Sequence, residues 1–361
     1  VNTCCFIGDA KEESINTLLE MASYKETAKC KLLVAAGCLA QRYHKEIQTE
    51  IPEVDIIVGT MGYENLAETI RGELKEHQGV VEAYLKIAEG CDKCCTYCVI
   101  PKVRGHYRSV PMENLLAQAE HLVQNGAKEL ILVAQETTLY GVDLYGHKSL
   151  PELLEKLSEL EELKWIRILY CYPEEITKEL VHAIKTLPKV CHYLDIPIQH
   201  GSDGILKRMG RRTNSKELRD MVHYLRQEIP DIALRTTLIT GFPGESEQDF
   251  EQLKEFVEEL RFDRLGVFTY SREEDTPAAA MEEQVPEEVA EKRRDEIMQI
   301  QQKIAFEKTS AQIGRALEVM VEGALPEDGV YITRTYMDAP EVDGYVFVAT
   351  DWNLMSGDFL N

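Results

Sequence analysis

The feature that most restricts the fold is a strict alternation of two apolar periods between residues 83 and 271. Short runs rich in aliphatic and aromatic residues read as strands: AYLKIAE (83–89), KELILVAQ (128–135), KWIRILYCYP (164–173), HYLDIPIQ (192–199), IALRTTLITGFPG (232–244) and RLGVFTYS (264–271). Between them, segments 112–126, 149–160, 177–187, 215–229 and 246–260 carry apolar residues at helical spacing. Repeated strand–helix units demand parallel strands joined by crossovers. Six strands fall short of a complete eight-stranded barrel, so the pattern predicts an α/β chain with a partial (β/α)6 barrel over 80–310.

The flanks read differently. Before the barrel, KEESINTLLEMASY (11–24) is a helical pattern, and KLLVAAGCL (31–39) and DIIVGT (55–60) are strand-like. That βαβ order predicts a small parallel-sheet domain over 1–75, followed by a polar linker at 71–79. Beyond the barrel, 285–313 reads as a long charged helix. RALEVMVEG, GVYITRTY and GYVFVATD then alternate apolar and polar residues, as in a small antiparallel β domain over 311–361. The N-terminus, VNTCCFIGDA, begins without Met and reads like the end of a strand. The expectation is a fragment lacking upstream sequence and cut short in its last domain. It has no signal-peptide pattern and no long apolar run, so a cytoplasmic protein without a membrane span is expected.

Ten cysteines without a secretion signal point away from disulfides and toward metal or redox chemistry. Four of them crowd into EGCDKCCTYCVIPKVRG (89–105), and Cys91, Cys95 and Cys98 form C-x3-C-x2-C. Three thiolates can hold three irons of a 4Fe–4S cluster and leave the fourth iron open to chelate a ligand. The run directly follows the first barrel strand, at the rim where barrel enzymes place their sites. Zinc would want four ligands, and adjacent Cys94 and Cys95 would have to point at one ion. Inert buried thiols are the other plain reading. Cys94 is expected to be a bystander, and Cys30, Cys171 and Cys191 are read as packing thiols.

C-x3-C-T-Y-C after a first strand, on a six-fold strand–helix repeat, resembles the radical S-adenosylmethionine superfamily. The resemblance implies a TIM-like radical barrel, and S-adenosylmethionine bound at the open iron and cleaved to a 5′-deoxyadenosyl radical. A narrower likeness is carried by NTC (2–4), AAGCLAQRY (35–43), PEVDIIVGT (52–60), IPKVRGHYRS (100–109), LVAQETTLYG (132–141), LDIPIQHGSDGILKRMGR (194–211) and ITGFPGESEQDF (239–250). Together these resemble the methylthiotransferases, which carry an N-terminal domain with a second 4Fe–4S cluster, the radical barrel and a C-terminal TRAM domain. The resemblance implies that Cys4 and Cys38 are the second and third ligands of that auxiliary cluster, the first lying upstream of Val1. It also implies S-adenosylmethionine contacts from Gln135 and Glu136 at the end of the second barrel strand, and from Gln199 and Arg235 on the fourth and fifth. Gln135 and Glu136 have a plainer reading as a capped strand end. His200 is read as structural, and Lys102, Arg104 and Arg108 as cations screening the cluster, as cations gripping a substrate carboxylate, or as surface loop.

Two substrate classes compete in that family: an adenosine of transfer RNA, and an aspartate of the small-subunit ribosomal protein number twelve. AQETTLYGVDLYG (134–146), WIRILYCYP (165–173) and RTYMDAPEVDGYVFV (334–348) resemble the protein-modifying branch. Residues 315–361 hold no lysine and few arginines against many acids, a poor surface for phosphates. The formal charge of −23 tilts the same way, toward a basic protein partner and against strong nucleic-acid binding. A low-potential electron donor is the other implied partner. A reading of another class is a non-enzymatic Fe–S or zinc-binding interaction module.

Overall fold

The computed structural model describes all residues except 28, 29, 31, 32, 60–80 and 326–328. The linker expected at 71–79 lies outside the described residues. The chain divides into two compact units: Val1–Glu76 with Gly90–Tyr107 and Ser271–Met281, and His77–Glu89 with Arg108–Tyr270 and Glu282–Asn361.

In the first unit, β1 (Asn2–Thr3), β2 (Val34–Gly37) and β3 (Ile56–Val58) form a parallel sheet in that order. The helix Gly8–Thr27 makes the crossover from β1 to β2. The expected strand at 31–39 stops at Gly37, whose φ of +119° and contact with the Thr3 carbonyl suit only glycine, and Cys38 opens a short helix to Arg42. Cys5, Leu18, Leu33, Ala35, Leu39 and Ile47 make the core of this sheet and its helices.

In the second unit, β4 (Glu82–Lys86) leads into a short antiparallel pair of β5 (Ala88–Glu89) with β6 (Arg108–Ser109). The main sheet contains β4, β7 (Glu129–Val133), β8 (Trp165–Ile168), β9 (Val190–Asp195), β10 (Ala233–Thr240) and β11 (Arg264–Thr269), all parallel and in sequence order. This is the expected partial barrel. β8 is buried at every position, as strands covered on both faces are. The crossover helices start at sequence-coded caps: Asn214 with Glu217, and Ser246 with Asp249, form capping boxes. Helix Glu247–Leu260 buries Phe250, Leu253, Phe256, Val257 and Leu260 on one face. Each contributes about 1.5–3 kcal/mol of burial.

After the long helix Glu287–Ser310, β12 (Val319–Leu325), β13 (Val330–Thr335), β14 (Val346–Ala349) and β15 (Phe359–Leu360) form an antiparallel sheet in the order β14-β13-β12-β15. It is tied to the beginnings of the barrel strands. Met320 and Ala339 pack with Trp165, Tyr193 and Ala233. Glu129, at the start of β7 and fully buried, accepts from Arg167 Nε at 2.7 Å and faces Arg334 Nη2 at 2.5 Å. Arg264 pairs with Asp338, and the Tyr336 hydroxyl donates to the Asp231 carbonyl at 2.9 Å. The added sheet thus occupies the N-terminal ends of these strands. The residues singled out at strand C-terminal ends belong to the opposite edge, where barrel sites form.

Candidate iron–sulfur and S-adenosylmethionine sites

Cys91, Cys95 and Cys98 lie on a loop held by backbone rather than by sheet. The Cys91 amide donates to the Gly105 carbonyl (3.2 Å), the Cys98 amide to Cys95 (3.1 Å), and the Ala278 amide to Thr96 (2.9 Å). Gly90 enters this loop at φ +83°, where a Cβ would sit 2.2 Å from the His106 carbonyl oxygen. Cys91 and Cys95 are buried and Cys98 is half-buried, its sulfur accepting from the Ile100 amide at 3.4 Å. Burial, then the adjoining thiols Cys95, Cys91 and Cys94, push the Cys98 thiol up to about 12. Cys94 differs: it is exposed and takes φ +56°, a left-handed conformation that turns the chain between its neighbours. Among the described residues, no three His, Cys, Asp or Glu side chains are grouped to hold one metal ion. Thiolates that each take a different iron need not meet at one point, so the loop's donor set fits a 4Fe–4S cluster.

The second cysteine set belongs to the same compact unit. Thr3 pairs with Gly37 across β1 and β2, so Cys4 and Cys38 leave adjacent parallel strands side by side. Cys4 is exposed and Cys38 buried. Cys5 is sealed in the apolar core, and burial, then Cys38, push its thiol up to about 11. The helix Ile100–Arg104, which follows Cys98, packs on the helix Cys38–Arg42 and brings Arg104 Nε to 3.2 Å from the Cys38 sulfur. The sequence marked Arg104 only as a cation near the first cysteine set. Its partner stands 66 residues away, and no local pattern signals the pair.

At the C-terminal edge of the barrel sheet, Gln135 and Glu136 follow β7. Glu136 is buried, and its Oε1 accepts from the Thr138 amide at 2.9 Å. HYLDIPIQ reads as one strand, yet β9 ends at Asp195. Pro197 has no N–H to continue the ladder, and Gln199 rejoins it as a single bridge to Leu238. Gln199 takes φ +78° and Tyr170, after β8, takes φ +59°. Such non-glycine residues in left-handed backbone concentrate at functional sites. Tyr170 was not singled out from sequence. Arg235 lies in β10 as expected but near its N-terminal end, apart from Gln135, Glu136 and Gln199, with its Nη1 3.0 Å from Asp195 and its Nε 3.6 Å from Asp343 of the antiparallel segment. Burial pushes the Asp195 carboxyl up against the pull of Arg235.

His200 is fully buried, with its Nδ1 accepting from the Ser202 amide at 2.9 Å. Burial depresses it to about 3, so it stays neutral at physiological pH and supplies no protonated acid there. Gly201 beside it lets Phe256 approach, for a Cβ there would meet the phenylalanine Cβ at 2.7 Å. The unfolded chain binds a proton at His200 below about pH 6.5 while the folded chain does not until about pH 3. The sign is therefore a loss of stability as pH falls through that window. His200→Asn, which retains an acceptor for the Ser202 amide, is expected to flatten the acid limb of a stability–pH profile measured by urea unfolding. An unchanged limb would contradict a neutral His200.

Family models match three segments: the radical SAM superfamily over residues 85–257, the uncharacterized protein family UPF0004 over 1–59, and the TRAM domain over 313–361. The chain is 59% identical to the ribosomal protein uS12 methylthiotransferase RimO of Lachnoclostridium phytofermentans, over all of this chain and 87% of that protein. Proteins of the same name from Clostridium botulinum and Desulfitobacterium hafniense are 50% and 47% identical over the whole chain, which covers 85% and 86% of them. The chain belongs to the RimO family of methylthiotransferases. As a family member it is a radical SAM enzyme of the transferase class, which takes a 4Fe–4S cluster and S-adenosylmethionine. Among solved structures, the radical S-adenosylmethionine methyltransferase TsrM of Kitasatospora setae matches with a TM-score of 0.55 at 13% identity, over 73% of this chain and 61% of that one. The cobalamin-dependent radical enzyme OxsB matches at 0.51 and 15% identity, over 84% of this chain and 47% of that one. At such identities the likeness speaks for the fold alone. None of the described helices is long and apolar enough to cross a membrane.

Proposed function

We propose that this chain adds a methylthio group to the β-carbon of an aspartate in ribosomal protein uS12, the protein named in its relatives. The observation that carries the reading is the presence of two cysteine sets in one compact unit, linked by the Arg104–Cys38 contact. Methylthiolation needs both a radical source and a source of sulfur, and the two sets suit those tasks. Cys91, Cys95 and Cys98 hold the radical cluster. Cys4 and Cys38 supply ligands to the auxiliary cluster. When bound, the radical cluster and S-adenosylmethionine supply the one-electron chemistry that takes hydrogen from an unactivated carbon.

The protein's own groups bind and orient. Gln135 and Glu136 offer acceptors for the methionine ammonium, and Gln199 is presented by its bridge to β10. Arg235, three residues into β10 and committed to Asp195 and to Asp343 of the antiparallel segment, lies outside these ligand contacts. The modules run over 1–75, 80–310 and 311–361. A low-potential donor supplies electrons and a second S-adenosylmethionine the methyl group, in the cytoplasm. Against transfer RNA as substrate stands the TRAM segment, whose cations over 313–361 are Arg315 and the buried Arg334. The test is mass spectrometry of uS12 and of transfer RNA from a strain lacking the gene. The uS12 aspartate should lose its methylthio group while the adenosine modification persists. The opposite pattern overturns the choice of substrate.

A further inference from the structure

We infer that Arg104 is a positioning residue for the auxiliary cluster, holding the Cys38 sulfur by an N–H···S bond and making the cluster easier to reduce. This rests on the reading that Cys4 and Cys38 bind such a cluster. The main chain of Arg104 is fixed independently of its side chain. Pro101 opens its short helix, Gly105 ends it at φ +72°, and Val103 packs against the core that contains Cys38 and Leu39. From that base the guanidinium reaches Cys38 at 3.2 Å in a part-buried setting. Neighbouring cations are turned elsewhere: Lys102 Nζ donates to the Asp275 carbonyl at 2.6 Å, and Arg42 faces Glu274 and Asp275. A cluster-bound thiolate gains negative charge when the cluster is reduced. A cationic donor on that sulfur stabilises the reduced state more than the oxidised one. It also fixes the direction from which the sulfur meets its iron, as outer-shell partners of metal ligands do.

The test compares full-length wild type, Arg104→Met and Arg104→Lys, each reconstituted anaerobically with iron and sulfide. Iron content is measured, and each cluster is followed through a redox titration by electron paramagnetic resonance. Arg104→Met should shift the midpoint potential of the auxiliary cluster to more negative values and leave that of the radical cluster in place. It should also lose the auxiliary cluster to a chelator roughly 10-fold faster. Arg104→Lys, which keeps a cationic donor, should recover part of both effects. A purely structural role would not move one potential alone. A two-cluster wild type whose auxiliary potential and chelator lifetime are unmoved by Arg104→Met overturns this inference and leaves the functional reading standing. Wild type that binds iron for one cluster only overturns both. Should Arg104→Met fold poorly, Arg104→Gln, which keeps a polar donor without charge, must show the same negative shift or the inference fails.

Discussion

Cys95→Ser should abolish both the loading of the radical cluster and the reductive cleavage of S-adenosylmethionine, while Cys94→Ser should leave both near wild type. The two residues are adjacent and chemically identical, so the contrast isolates geometry. Cys95 is buried, whereas Cys94 is exposed in left-handed backbone. Losing one of three thiolates leaves two irons without protein ligands, which a cubane cluster does not survive with its reactivity intact. Iron content and the yield of 5′-deoxyadenosine after reduction read the outcome. Loss of both in Cys94→Ser, with both retained in Cys95→Ser, would reverse the assignment.

Glu129→Ala should cost about 3–5 kcal/mol of stability, the range for removing one partner of a buried charge network. Its carboxylate lies between Arg167 and Arg334, and all three side chains are fully buried. Arg167 Nη1 also donates to the Tyr336 carbonyl (2.7 Å) and Arg334 Nη1 to the Asp338 carbonyl (3.1 Å). Removing the carboxylate therefore takes from Arg167 the carboxylate it pairs with and leaves Arg334 to its second ion pair with Glu322, where the antiparallel sheet meets the barrel strands. Glu129→Gln keeps the shape and one acceptor and should cost less. Urea unfolding checks both; a change under about 1 kcal/mol for Glu129→Ala would show that water or other acceptors take over.

Most of the fold was legible because its signals are local. Apolar period and helix caps act over a few residues, so the six strands, their helices and the long helix at 287–310 stand where the patterns put them. The misreadings are also local and have physical causes. AAGCL is apolar throughout, and period alone does not reveal that Gly37 turns the chain so that Cys38 starts a helix. HYLDIPIQ looks continuous until the missing N–H of Pro197 is considered.

What the sequence withheld are contacts between distant segments. From sequence alone, the acidic residues near the end of the chain read as a surface that repels phosphates. Asp338 and Asp343 are instead turned inward, to Arg264 and to Tyr193 and Arg235. Part of that acidity is paired with half-buried arginines within the protein. Likewise Arg104 looked like a counter-charge for the nearer cysteines, and only the packing of two short helices reveals Cys38 as its partner.

The activity proposed for the chain is the placing of a methylthio group on uS12. The direct measurement is intact-mass and peptide mass spectrometry of purified uS12 after anaerobic incubation with the reconstituted full-length enzyme, S-adenosylmethionine, sulfide and a strong reductant. The expected result is a mass gain of one methylthio group on a single aspartate, absent when Cys95→Ser replaces the wild type. Unmodified uS12 alongside abundant 5′-deoxyadenosine would contradict it.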